Sequence, residues 1–134
     1  MYLLDTNVVS ELRRIRPHGA VLAWVSSVRD ADLHLSAVTI GELQTGVERT
    51  RDRDAARATE LEAWIMQIVG GYIILPMDGP AFREWARLMH RRSGTLAQDA
   101  MIAATAAVYD LIVATRNVRD FTPLGIRTVN PFEA

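Results

Sequence analysis

The chain has no cysteine and no lysine. The first absence excludes a disulfide framework and a thiolate zinc site, so nothing here asks for an oxidising compartment. The second makes all fifteen basic residues arginines. It excludes lysine-dependent chemistries and leaves a cation that forks onto phosphate through two parallel hydrogen bonds. An excess of one charge sign is missing too. A net charge of -1 gives no overall signature of nucleic-acid binding, so any such signal must lie in how charge is distributed. The longest uncharged run, 63–77, carries Gly70, Gly71 and Pro76, and a membrane-spanning helix needs roughly 20 apolar residues. Before Asp5 there is only "MYLL", without the basic and apolar regions of a signal peptide. The expectation is a soluble, cytoplasmic protein.

What is present suits one domain spanning 1–134. Folding at this length buries about two-thirds of the surface of the unfolded chain, enough for one sizeable core. Short apolar runs at 2–4, 33–37, 72–75 and 111–115 read as strands, with a fifth at 127–129. Helical periodicity fills the intervals: 7–14, 17–28 behind Pro17, the stretch "TIGELQTGVE", and Leu61, Trp64, Ile65 and Ile68 up to Gly70-Gly71. A further helix shows Phe82, Trp85, Ala86 and Met89 on one face and Arg83, Arg87, Arg91 and Arg92 on the other, and a last one covers 96–109. The alternating charges of 49–57 read as a solvated connection or helix end. Strands alternating with helices predict an α/β domain, a parallel sheet of four to five strands with helices on both faces. Ligands of such sheets bind beyond the carboxyl ends of the strands.

Acids follow three of those strands. Asp5 comes after the first, Glu42 one turn into the helix after the second, and Asp120 in "TRNVRDF" after the fourth. Asp99 opens the 96–109 helix, which carries no charge from 100 to 109 and should lie centrally. Singly, each acid has an ordinary explanation. Asp5 caps a helix; Thr39 and Glu42 match the S/T-x-x-E capping box, as Thr95 and Gln98 match its glutamine form; Asp99 complements a helix dipole; Asp120 occupies a turn. Together they do not, because the topology gathers them at one end of the sheet. Like charges about 4 Å apart repel by roughly 4 kcal/mol per pair at an effective dielectric near 20. Such a group shares protons or holds a cation.

Oxygen-only donors select a hard cation, so Mg²⁺ or Mn²⁺ is the expected cofactor. His18, His34 and His90 lack ligand spacing. A divalent ion with open positions suits phosphodiester hydrolysis by activated water, with a non-ligating acid to take the proton. Arg116 is placed to meet a phosphate, and the hydroxyls of Thr6 and Thr115 and the amide of Asn117 to position waters or phosphate oxygens.

The segments "LLDTNVVSEL", "SAVTIGEL", "LAQDAMIAATA" and "ATRNVRDF", with "NPF" near the end, together resemble a PIN-domain endoribonuclease of the VapC toxin type, in the style of the FitB-like members. The resemblance runs along essentially the whole chain. It implies an Mg²⁺-dependent ribonuclease toxin of a type II toxin-antitoxin system. Its acidic site would fall on Asp5, Glu42, Asp99 and Asp120, with Asp5 and Asp99 as direct ligands and Glu42 and Asp120 reaching the ion through water. It further implies a homodimer and a small VapB- or FitA-like antitoxin whose other end contacts operator DNA. Many relatives carry an acid where this chain has Asn117, giving T-x-D; here only Asp120 is acidic in that loop.

Two other classes compete. Phosphatases that form an aspartyl-phosphate also begin with a strand followed by Asp, and receiver domains bind Mg²⁺. Both use a lysine that this chain lacks, and the phosphatases show D-x-D where position 7 is Asn. A non-catalytic module acting only through antitoxin and operator DNA would keep the same acids.

Overall fold

The structure is a computed structural model and describes residues 1–133. Five strands, β1 (Tyr2–Leu4), β2 (Leu33–Ser36), β3 (Ile73–Leu75), β4 (Ile112–Ala114) and β5 (Thr128–Val129), form one sheet in the order β3-β2-β1-β4-β5. Every pairing is parallel. The helices are α1 (Thr6–Leu12), α2 (Gly19–Ser27), α3 (Ala37–Arg51), α4 (Ala55–Gly71), α5 (Gly79–Met89), α6 (Ala97–Tyr109) and the single turn α7 (Val118–Phe121). The expected α/β architecture, including the two-residue fifth strand, is what forms. No helix among the described residues is long and apolar enough to cross a membrane.

Successive residues of the central strand serve opposite faces, as the two-residue period of a strand requires. Leu4 joins Val8, Val9, Leu35, Val47, Ile65 and Ile68 on one side. Leu3 joins Ile102, Ala103, Val113 and Phe121 on the other. Both leucines are fully buried, each worth about 1.5–3 kcal/mol relative to exposure. Alanine dominates the sheet-facing side of α6, where Ala100, Ala103, Ala104 and Ala106 are buried, so that helix lies close against the strands.

The sequence expectation for α5 needs correction. Ala81 is the buried residue, whereas Phe82 is 45% exposed and Ala86 also faces solvent. Asp78 caps the helix by accepting from the Ala81 amide; Trp85 and Met89 meet the core as expected, joined by Leu88 in place of Phe82 and Ala86. Arg91 lies past the helix with φ 64°, and Arg92 folds back to donate to the carbonyls of Leu88 and Pro123. Both therefore leave the exposed helical face assigned to them. The charged run 49–57 contains the end of α3 and the start of α4, which Asp54 caps through the Arg57 amide.

Register aligns the strand ends. Leu4 lies opposite Leu35 and Ala114, and Ala114 opposite Val129, so Asp5, Ser36, Thr115 and Asn130 all leave the sheet at one level. The chain builds outward from β1 on one side through β2 and β3, then crosses to β4 on the other. The β1/β4 seam is thus the topological switch point, where open α/β sheets place their ligands.

Candidate active site

Asp5 sits at that seam. Its amide donates to the Ala114 carbonyl at 2.9 Å, and its carbonyl accepts from Val8 and Val9 as α1 begins. The side chain is 5% exposed. One carboxylate oxygen accepts from the Thr6 amide at 2.8 Å; the other accepts from the Thr115 hydroxyl at 2.8 Å and the Asn7 amide nitrogen at 3.1 Å. Asp5 therefore caps α1, but three donors hold it where a cap needs one. Burial pushes its carboxyl above the ordinary range against the pull of these donors, with Asp120 adding like charge.

Thr115 is fully buried. Besides donating to Asp5, its oxygen accepts from the Asn117 amide at 2.9 Å. Asn7 completes the mesh: its side-chain oxygen accepts from the Arg116 amide at 3.1 Å, while its nitrogen reaches Thr115 at 3.4 Å. The turn after β1 and the loop after β4 are thereby locked together. Asn7 was not among the residues expected to matter. Its signal was the polar third position of "DTN", but two of its partners, Thr115 and the Arg116 amide, lie more than a hundred residues away.

Glu42 is free of the capping role its spacing suggested. Ser36 caps α3 by accepting from Val38 at 3.1 Å, which places Thr39 and Glu42 inside the helix. Thr39 is buried and accepts the Thr6 hydroxyl at 3.1 Å. Thr6 also faces the Glu42 carboxylate and favours its charged form, but burial, reinforced by Asp5 and Asp99, raises Glu42 overall. The Thr95–Gln98 box likewise does not form: α6 begins behind Leu96 with no side-chain cap, and Ser93 serves the preceding turn. Asp99 does stand in the first turn of α6. Its carboxyl is pushed up to about 6, first by burial, then by the charges of Asp5 and Asp120.

The structure thus brings Asp5 and Asp99 into electrostatic range of each other and of both Glu42 and Asp120, and no ion pair neutralises any of the four among the described residues. The opening is wide: among those residues no three histidines or acids stand close enough to grip an ion as they are. The donor set itself, carboxylates and hydroxyls without nitrogen or sulfur, fits a hard divalent cation. The histidines stay apart from it. His34 is buried with Nδ1 3.3 Å from the Tyr2 carbonyl, and His18 caps α2.

Beyond Asp120 a concavity of about 400 Å³ is lined by Arg116, Asn117, Arg119, Asn130 and Glu133. The Arg116 guanidinium lies 4.1 Å from the centroid of the Phe132 ring, and that ring packs edge to face with His18, their centroids 5.4 Å apart. Asn130 shapes that tail by accepting from the Phe132 amide. Phe132 is a second residue to which the sequence alone assigned no role, although "NPF" had stood out.

Fold and site together define the class. A family model for the PIN domain matches residues 2–122, and the chain belongs to the PIN-domain family. It is 37% identical over 139 residues to VapC ribonuclease Y4jK of Sinorhizobium fredii, with 99% of each chain covered. It is 36% identical over 139 residues to Toxin FitB of Neisseria gonorrhoeae, covering 98% of this chain and 99% of that one. A solved structure of FitAB bound to an IR36 DNA fragment matches with TM-score 0.78 and 33% identity, over 98% of this chain and 96% of that one.

Proposed function

We propose that this chain is an Mg²⁺-dependent endoribonuclease, the toxin of a VapBC-type toxin-antitoxin module, with Mn²⁺ able to substitute. One observation carries the chemistry: acids from four separate segments lie within electrostatic reach around the carboxyl end of the sheet, with no ion pair to neutralise them among the described residues. Relatives named as a VapC ribonuclease and as a toxin support the substrate class and the role. The FitAB–DNA structure supports a small DNA-binding antitoxin as partner, through which the module would contact its operator. A homodimer and a cytoplasmic site of action follow from the same family reading.

Asp5 and Asp99 would hold the ion directly, with Glu42 and Asp120 engaging it through water. The bound cation supplies charge to the scissile phosphate and lowers the pKa of a water. The chain's own residues do the rest. Thr115 and Asn7 hold one oxygen of the Asp5 carboxylate and the Thr6 amide holds the other, fixing its orientation. Asp99, whose carboxyl is pushed up to about 6, can accept a proton before the site is loaded. Arg116, held over Phe132, presents a guanidinium to the phosphate, and the Asn117 amide can hold a water where relatives carry an acid.

The test is RNA cleavage with and without divalent metal in the native chain and in Asp5→Asn. Cleavage should need Mg²⁺ or Mn²⁺ and fall to background in the variant. The fold should persist, because asparagine caps a helix about as well as aspartate. Millimolar Mn²⁺ should also raise the melting temperature of the native chain, since a ligand of the folded state stabilises it by mass action. Metal-independent cleavage, or equal activity in Asp5→Asn, refutes the reading.

A further inference from the structure

A second cleft, of about 360 Å³, opens from the other side of the acids, between α1, α3 and α4. Thr6 and Glu42 stand at its mouth, and Arg13, Arg49, Arg53 and Trp64 line its length. The order follows from helix geometry. Glu42, Gly46 and Arg49 fall on one face of α3, and Arg49 lies about 10 Å further along the axis than Glu42 at 1.5 Å per residue. Arg53 continues past the helix end, while Arg13 projects from the end of α1 on the facing wall.

Seven arginines make no side-chain hydrogen bond, ion pair or ring contact among the described residues, and three of them gather around this cleft, which Arg16, Arg83, Arg91 and Arg119 do not line. Arg14, Arg29, Arg51, Arg57, Arg87 and Arg127 each pair with an acid. Among the described residues, the side chains of Arg13, Arg49 and Arg53 make no ion pair and no hydrogen bond, and all three are exposed. The fold thus leaves three like-charged guanidiniums around one cleft, although it carries one more acid than base overall. Guanidiniums bind phosphate bidentately, and a cationic groove with an aromatic wall is how proteins track single-stranded nucleic acid.

We infer that this cleft is the path of the RNA strand leading to the acids, with Arg13, Arg49 and Arg53 contacting successive backbone phosphates. The inference rests on the ribonuclease reading for its ligand, and it adds the surface that gathers that ligand. Four carboxylates alone would repel a phosphodiester. Positive charge beginning one helical stretch away draws the strand in and leaves only the scissile group to face the acids.

The experiment measures binding of a short mixed-sequence single-stranded RNA to the full chain in chelator, where no cleavage interferes, across a range of salt. The variants are Arg13→Gln, Arg49→Gln and Arg53→Gln, singly and together, with Arg87→Gln as a control on another surface. Removing one phosphate-binding guanidinium should flatten the plot of log affinity against log salt by about 0.7, and removing all three by about 2. Arg87→Gln should leave it unchanged. With metal present, the triple variant should show a raised KM and a nearly preserved kcat. Melting curves confirm that these exposed substitutions keep the fold.

An unchanged salt slope and KM in a folded triple variant overturns the inference. So does unchanged RNA affinity with weakened binding of the cognate antitoxin, which would make the cleft a protein-docking surface. Cleavage by the native chain tests the parent reading separately. If it is absent while arginine-dependent binding persists, the cleft stands as an RNA surface and the nuclease reading falls.

Discussion

The two walls of the acid cluster are built differently. On the β1/β4 wall, Asp5 accepts three hydrogen bonds, from Thr6, Asn7 and Thr115, and Asn7 ties the loops together through Arg116. On the facing wall, Asp99 makes no side-chain hydrogen bond or ion pair among the described residues. It stands at the start of a long buried helix, where its proton affinity reflects burial and its neighbours' charge. One acid is fixed before any ligand arrives, and the other is left free to respond. Such a division suits a site that must grip a hydrated ion from one side and adjust to it from the other, since Mg²⁺ keeps several of its waters.

The sharpest way to break this contrast is to loosen the fixed wall. Thr115→Val keeps the shape of a fully buried side chain but removes the donor to Asp5. Loss of a residue that orients a metal ligand typically costs 10–100-fold in metal affinity or activity, so about that loss is expected here. It should be seen as a higher Mn²⁺ requirement for cleavage. Unchanged metal dependence would mean that Thr6 and Asn7 suffice.

The free wall predicts a pH effect of opposite character. The Asp99 carboxyl is raised from an ordinary 3.8 to about 6, so between those values the folded metal-free chain binds more protons than the unfolded one. Its stability should therefore decline as pH rises from about 4 to about 6 and stay lower above that. Asp5 and Glu42 are raised too and act in the same direction, so Asp99→Asn lessens the effect: its melting temperature should exceed that of the native chain at pH 7 and match it near pH 3, both in chelator. A variant destabilised at both pH values would instead show the acid acting as a helix-dipole partner.

The smallest expected effect concerns Arg116. A cation over an aromatic face contributes about 0.5–1 kcal/mol at exposed sites. Phe132→Ala should therefore raise the KM for RNA a few-fold, leave the metal requirement alone, and add nothing to Arg116→Ala in a double-mutant cycle. Additive losses would show that the two residues work separately.

The fold was legible because its signals are local. Short apolar runs broken by helical periodicity give strand and helix in the right order, and the carboxyl-end rule points to the acids. The capping boxes at Thr39 and Thr95 were legible but misleading: Ser36, three residues earlier, takes the cap of α3, a choice set by where strand β2 ends. On α5 the apolar period finds Trp85 and Met89 but also names Phe82 and Ala86, which the packing leaves outside the core. The wiring of Asp5 to Thr115, and of Asn7 to the Arg116 amide, could not be read, since those hydrogen bonds join residues about 110 apart. Nor could the contrast between paired and unpaired arginines, because fifteen identical cations in a sequence do not say which ones lie beside an acid.

The alanines of α6 couple the interior to the chemistry. Because Ala103 and its neighbours let the helix rest close on the sheet, a bulkier residue there would strain the core by about 1–3 kcal/mol and tilt the rod that carries Asp99 at its tip. The spacing between the two walls can therefore be retuned by a methyl group far from solvent, without adding or removing a single charge.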